Sequence, residues 1–424
     1  MPMNKHDKKP LIQSIQVRNL LSFGPDTPAM NLRSLNVLIG ENGAGKSNLI
    51  DVIGILQAAP TNLLIPFKGK ASGGIAEWLW KGGHGESDSE PVQASIEVQL
   101  HHPDTRKEIL LRHRLSFSVA GQKLELTDEA VEDARPEQQY HHDVRFYYRF
   151  QSGRPVLSVF ASDEEEDAGR QRGKRELKKQ DVSFDQSILS QRKDPDQYPE
   201  ITYIAKQYTG IKLYREWHLG RNAPPRQPHP SDMPGDHLNE DASNLVLVLN
   251  ALEMNPRARE RLLDKIKEFN GRFTRIYPKV EMGSIQLYLE EILSADTRHS
   301  ALIPASRLSD GTMRFLCLLA VLCHPNPPPL VCIEEPEMGL HPDILPTVAQ
   351  LLLEASERTQ LIVTTHSDII VDALTETPEA VVVCEKQNGQ TRMRRLEQKD
   401  LQAWITDYRL GQAWLNGKVG ATRW

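Results

Sequence analysis

NVLIGENGAGKSNLIDVIGIL, residues 36–56, is a short apolar strand, a glycine-rich loop and a helix in direct succession. The loop, GENGAGKS at 40–47, fits Gly-x-x-x-x-Gly-Lys-Ser with a further glycine at 43. Successive backbone N–H groups in such a loop ring a phosphate, and the start of the following helix adds its dipole. Gly40, Asn42, Gly43, Gly45, Lys46 and Ser47 are therefore the candidate phosphate-binding residues. Lys46 reaches the β and γ phosphates of a bound nucleotide, and the Ser47 hydroxyl is a ligand for Mg²⁺.

A second signal lies far along the chain. In LVCIEEPEMGLHP, residues 330–342, an apolar strand ends in two adjacent carboxylates, Glu334 and Glu335. Ligands bind at that edge of an open α/β sheet. The spacing gives Glu334 to Mg²⁺ and Glu335 to the activation of a water. LIVTTHSD, 361–368, repeats the pattern, and His366 is placed to bond a γ-phosphate or to orient water. In RLSDGTMRF, 307–315, Ser309 and the N–H groups of Gly311 and Thr312 form an anion-binding helix start.

These four elements, in this order, resemble the ATP-binding-cassette ATPase head of the RecF, Rad-type and chromosome-maintenance (SMC) proteins. GENGAGKS matches the Walker A motif, and IEEPEMGLHP resembles Walker B with its following loop. Residues 365–367 resemble the H-loop, and LSDGT at 308–312 resembles the signature motif, with Asp310 where glycine is usual. The whole resembles the compact AAA family ATPases related to RecF and the overcoming-lysogenization-defect proteins. The resemblance implies an ABC-type P-loop ATPase, α/β in class, with ATP and Mg²⁺ as cofactors. It implies a homodimer closed head-to-tail by ATP, Ser309 and Gly311 of one copy meeting the nucleotide of the other. It also implies a Q-loop glutamine facing Mg²⁺, for which Gln191 in SILSQRKD is the candidate. Asp310 is expected either to point inward and oppose ATP or to point outward and pair with an arginine, Arg307 or Arg314.

Around the motifs, alternating apolar residues at 91–100 and two more strand candidates at 109–119 and 144–150 predict an antiparallel β lobe. Expected boundaries are 1–150 for the N-terminal part of the head with that lobe, 151–299 for an inserted helical and loop lobe, and 300–424 for the C-terminal part. Residues 221–237 hold five prolines and read as a loop. The tail from Gly411 carries Trp414 and reads as an apolar cap on the sheet.

The chain has 424 residues, 51 basic against 57 acidic, and a formal net charge of -6. Hydrophobic residues at 39% and charged residues at 25% exclude a wholly disordered chain, and the charge balance gives no global affinity for nucleic acid. Double-stranded DNA is a possible partner only through a local patch. The candidates are Arg170, Arg172, Lys174, Arg175, Lys178 and Lys179, then the Arg221–Arg226 loop. Four cysteines in apolar stretches read as reduced core residues of a cytoplasmic protein, and no apolar run is long enough to span a membrane. Only 40 residues follow Cys384, so any cutting is expected to belong to a separate nuclease or effector subunit. Three roles follow from the reading. One is an ATPase of DNA repair or maintenance, the second an ATPase of an antiviral defence system controlling a partner nuclease or toxin. The third is a nucleotide-dependent scaffold without turnover.

Overall fold

Leu35–Gly40 is buried along its whole length, as a strand must be when both faces of its sheet are covered. A computed structural model of the chain places it inside a six-stranded sheet. The order is Lys212–Tyr214, Leu330–Glu334, Gln360–Thr364, Leu35–Gly40, Val381–Gln387 and Gln390–Arg395. The first five strands run parallel and the last returns antiparallel. The structure describes residues 9–420 apart from 69–72, 83–91, 104–107, 122, 136–143, 152, 160–172, 178–181, 294–298 and 399–408.

Successive side chains of a strand point to opposite faces, and here they enter two different cores. Val37, Ile39, Val331, Ile333, Leu361 and Val363 face the helices Leu245–Met254, Pro256–Phe269, Asp310–Leu322 and Leu345–Ser356. Leu38, Cys332, Ile362 and Val382 face the helix Lys46–Ala58 and, beyond it, a second sheet. That sheet has eight antiparallel strands running from Met30–Asn31 through Ile12–Arg18, Ala94–Pro103, Glu108–Ala120, Lys123–Asp133, Phe146–Gln151 and Arg154–Val159 to Gly173–Glu176. The Walker A helix is thus clamped between two sheets. A third sheet joins His229–Pro230, Ser284–Ile292, Phe273–Glu281 and Ser300–Pro304.

The expected division at residue 150 is not where the lobe ends. The antiparallel sheet continues through Arg154–Val159 and Gly173–Glu176, and Lys212–Tyr214 belongs to the central sheet. The 151–299 segment therefore supplies strands to all three sheets as well as helices. Strand Lys123–Asp133 escaped the sequence pattern because buried acids interrupt its apolar residues. Glu129 and Glu132, three residues apart and so on opposite faces, are both buried, which a charge tolerates only with partners. Glu132 is gripped by Arg112 and Arg149 at 2.5 and 2.7 Å. Glu129 accepts from Ser187 Oγ at 2.5 Å and from the Ile188 N–H at 2.9 Å.

The C-terminal helix Leu410–Leu415 packs on Asp368–Asp372, with Trp414 wholly buried. Asp372 Oδ1 accepts from the N–H groups of Gly411 and Gln412 at 2.6 and 3.2 Å. The described part of the tail thus caps a helix of the same chain rather than the sheet; Trp424 lies outside the described residues. Cys317, Cys323, Cys332 and Cys384 are buried and unpaired, and burial pushes their thiols up. No helix among the described residues is long and apolar enough to cross a membrane.

Candidate functional site: the carboxyl edge of the parallel sheet

The phosphate loop needs glycine for two separate reasons. Gly40, at the strand end, would place a Cβ 2.2 Å from the Cys384 carbonyl of the neighbouring strand. Gly45 has a φ of +96°, and a Cβ there would strike Thr391 Oγ1 and Ser22 Oγ. Thr391 Oγ1 donates to Ala44 O at 2.9 Å and shares a hydroxyl–hydroxyl bond of 2.6 Å with Ser22 Oγ, so the last strand of the sheet holds the loop from behind. Asn42 and Gly43 are exposed at its rim. Lys46 is buried, and its ammonium donates to the carbonyls of Gly40 and Glu41 at 2.8 and 2.9 Å. Burial lowers its pKa, against the opposing pull of Cys384, Glu335 and Glu337.

Ser47 donates to Glu334 Oε2 at 3.2 Å, so the Walker A helix and the Walker B strand meet as the sequence predicted. Burial raises the Glu334 carboxyl, while Arg215 and Ser47 pull it down. The other oxygen, Glu334 Oε1, is buried and accepts no hydrogen bond among the described residues. A hydroxyl and a carboxylate with a spare buried oxygen are the hard oxygen donors that Mg²⁺ prefers. Together with the open space at Gly43, they fit a magnesium–nucleotide.

Glu335 sits in the left-handed backbone region, φ +44°. That strain, about 1 kcal/mol or more, is held by Thr364, whose carbonyl and Oγ1 accept the Glu335 N–H at 3.0 and 3.3 Å. The turn aims the carboxylate off the strand end, 3.8 Å from His366 Nε2. Two strand ends of one sheet therefore bring these two groups together.

Sequence reading missed Glu337, though three acids within four residues were a visible signal. Its Oε1 accepts from Thr365 Oγ1 at 2.8 Å and from the His366 N–H at 2.7 Å, which ties Walker B to the H-loop. Burial raises its carboxyl above the usual carboxylate range. A group raised on folding contributes stability that is complete below its unfolded pKa and lost as pH rises through the folded one. Glu337→Gln keeps the accepting oxygen and removes the charge. The melting temperature of the variant relative to wild type is therefore expected to rise between pH 5 and pH 8, by roughly 2 °C. Thermal melts across that range check it; a gap that stays constant refutes it.

Ser309 caps the signature helix, its Oγ accepting from the Thr312 N–H at 3.1 Å. Gly311 lies so close to the Walker B turn that a Cβ would be 2.7 Å from Gly339 O. In front of this nest is a cavity of about 440 Å³ lined by Ser309, Gly311, Gly339, Leu340, His341 and Asp343 among others, and by none of residues 40–47. The helix start is thus capped, and the cavity before it is not lined by its own phosphate loop.

Two expectations are corrected. Asp310 pairs with neither Arg307 nor Arg314. Arg226 reaches it at 2.5 Å from the proline-rich loop while also donating to the carbonyls of Leu219, Ala305 and Leu308. Arg314 lies instead over the Trp217 ring, 5.6 Å from its centroid. Arg226 is only 2% exposed, so it is no part of a nucleic-acid surface. Gln191 is not beside Ser47. Its Nε2 donates to the carbonyls of Ser183, Gln186 and Ser187, and its Oε1 accepts from the Ser183 N–H, closing the loop before its own short helix. The side chain that does reach Glu334 is Arg215, 3.8 Å from Oε1. Of the basic block, Arg170, Arg172, Lys178 and Lys179 lie outside the described residues; Lys174 and Arg175 lie on the edge strand of the antiparallel sheet, Arg175 exposed.

The fold matches solved Smc heads. A Smc head bound to the C-winged helix domain of ScpA is 12% identical, with a TM-score of 0.54 over 93% of this chain and 100% of that one. A Smc head with an extended coiled coil, bound to the C-terminal domain of ScpA and derived from Pyrococcus furiosus, is 11% identical, with a TM-score of 0.52 over 94% and 99%. At such identities the likeness concerns the fold. None of the curated proteins matches the chain. Residues 35–372 match the family described as "AAA domain, putative AbiEii toxin, Type IV TA system". With the phosphate loop, Ser309, Glu334, Glu335 and His366 all inside that span, the chain belongs to this AAA-domain family, and its fold is that of an SMC-type P-loop head.

Proposed function

We propose that the protein binds ATP with Mg²⁺ at residues 40–47, hydrolyses it, and closes head-to-tail with a second copy around the nucleotide. The observation that carries this reading is the convergence of Lys46, Ser47, Glu334, Glu335 and His366 at one edge of one parallel sheet. The loop N–H groups and Lys46 hold the phosphates. Ser47 and Glu334 hold Mg²⁺, which when bound neutralises charge on the phosphate oxygens. Glu335 accepts a proton from the attacking water, and His366 orients that water or the γ-phosphate. Ser309 with the Gly311 N–H group of the other copy binds the γ-phosphate from the far side.

Among the roles expected from the sequence, the family description, with its putative toxin of a toxin–antitoxin system, supports the ATPase of a defence system that acts with a partner nuclease or toxin. DNA repair or maintenance is the second reading, supported by the Smc-type head. In either role the protein acts as a cytoplasmic switch. The test is release of phosphate from ATP with Mg²⁺, wild type against Lys46→Ala. The variant is expected to lose ATP binding itself, because the buried ammonium has no substitute in the loop. A Lys46→Ala protein that binds and turns over ATP like wild type overturns the reading. Binding by wild type without turnover leaves the scaffold role.

A further inference from the structure

Arg215 stands immediately after the strand Lys212–Tyr214, and Tyr214 pairs in register with Ile333 of the Walker B strand. The next residue along each strand brings Arg215 beside Glu334. Its Nη1 donates to Asp51 Oδ1 at 2.5 Å, and its Nε lies 3.8 Å from Glu334 Oε1. Asp51 is four residues beyond Ser47 on the Walker A helix, so the two share a face. The Ser47 hydroxyl bonds the opposite oxygen of Glu334. One guanidinium therefore borders the Ser47–Glu334 pair on the side of the carboxylate oxygen that accepts no hydrogen bond.

We propose that Arg215 is a resident counter-cation of the magnesium site, one that lies against Asp51 and Glu334 and weakens divalent-ion binding. The inference rests on the ATP-binding reading and assigns a part of that site. Three features support it. The side chain is 38% exposed, so it can swing toward solvent without disturbing the core. Its contact with Glu334 is longer than a hydrogen bond, whereas that with Asp51 is short. Asp51 therefore anchors the guanidinium while Glu334 is left free to turn to a metal. While it stays against Asp51, a positive charge this close to a dication repels it even in a largely solvated setting. Arg215 is accordingly a positioning residue whose effect is read in metal affinity, before any turnover.

The experiment titrates Mn²⁺, a spectroscopic stand-in for Mg²⁺ with the same liking for oxygen ligands, into the full chain with ATP. Free ion is followed by electron paramagnetic resonance in Glu335→Gln protein, where ATP is expected to persist. Arg215→Gln is expected to bind Mn²⁺ about tenfold more tightly, while Arg215→Lys, which keeps the charge, stays within about twofold of its parent. Melting curves establish that both variants are folded, and fluorescent ATP binding is recorded in parallel. ATP binding with unchanged or weaker Mn²⁺ affinity in Arg215→Gln overturns this inference alone. A parent protein that binds no ATP overturns the inference together with the reading beneath it.

Discussion

Glu335→Gln is expected to stop ATP hydrolysis, lowering kcat by about 10²–10⁴-fold, while ATP and Mg²⁺ still bind. The carboxylate stands off the end of the Walker B strand, turned outward by a left-handed backbone at Glu335 and close to His366. Nothing else at the strand end can replace it. Glu334 is turned toward Ser47, and Glu337 is buried and occupied by the H-loop backbone. Glutamine keeps the shape and a hydrogen-bonding oxygen but accepts no proton near neutral pH. Single-turnover phosphate release, with fluorescent ATP titration beside it, separates the two effects. Hydrolysis at the wild-type rate would remove Glu335 from the base role.

Ser309→Asp should leave ATP binding by each copy intact and lower hydrolysis by at least about 10²-fold. Aspartate is as good a helix N-cap as serine, so the Thr312 N–H keeps its acceptor and the helix its start. What changes is the sign of the nest. Asp310 is already balanced by Arg226, but a carboxylate at 309 points into the cavity beside Gly311 and Gly339 and repels a phosphate. The defect appears only if another copy brings its nucleotide there, since no residue of the chain's own phosphate loop lines that cavity. Wild-type turnover by Ser309→Asp would argue for a site complete within one copy.

The motifs were legible because each packs its chemistry beside a sharp structural signal. An apolar run ending at Gly40, Glu334 or Thr364 fixes a strand end, and the polar residue after it faces the ligand edge. Arg215 had no such signal. Its strand is three residues long, too short for any periodicity, and only pairing with Leu330–Glu334 brings it to the site. Gln191 was misplaced for the same reason, because a glutamine after a short helical run says nothing about which sheet edge it joins. Arg226 lay in a proline-rich segment that reads as surface, yet its guanidinium satisfies three buried carbonyls as well as Asp310. Buried acids in Lys123–Asp133 hid a strand whose charges are met by partners on other strands. Local chemistry was readable; long-range pairing was not.

The claim that two copies of this head complete one another's ATP sites is tested most directly by mass. Light scattering of the Glu335→Gln protein with Mg²⁺ is to be compared with and without ATP. The account predicts a monomer without nucleotide and a doubling of mass with ATP, a doubling that Ser309→Asp in the same background abolishes. A Glu335→Gln protein that holds ATP and remains a monomer at every concentration would contradict it.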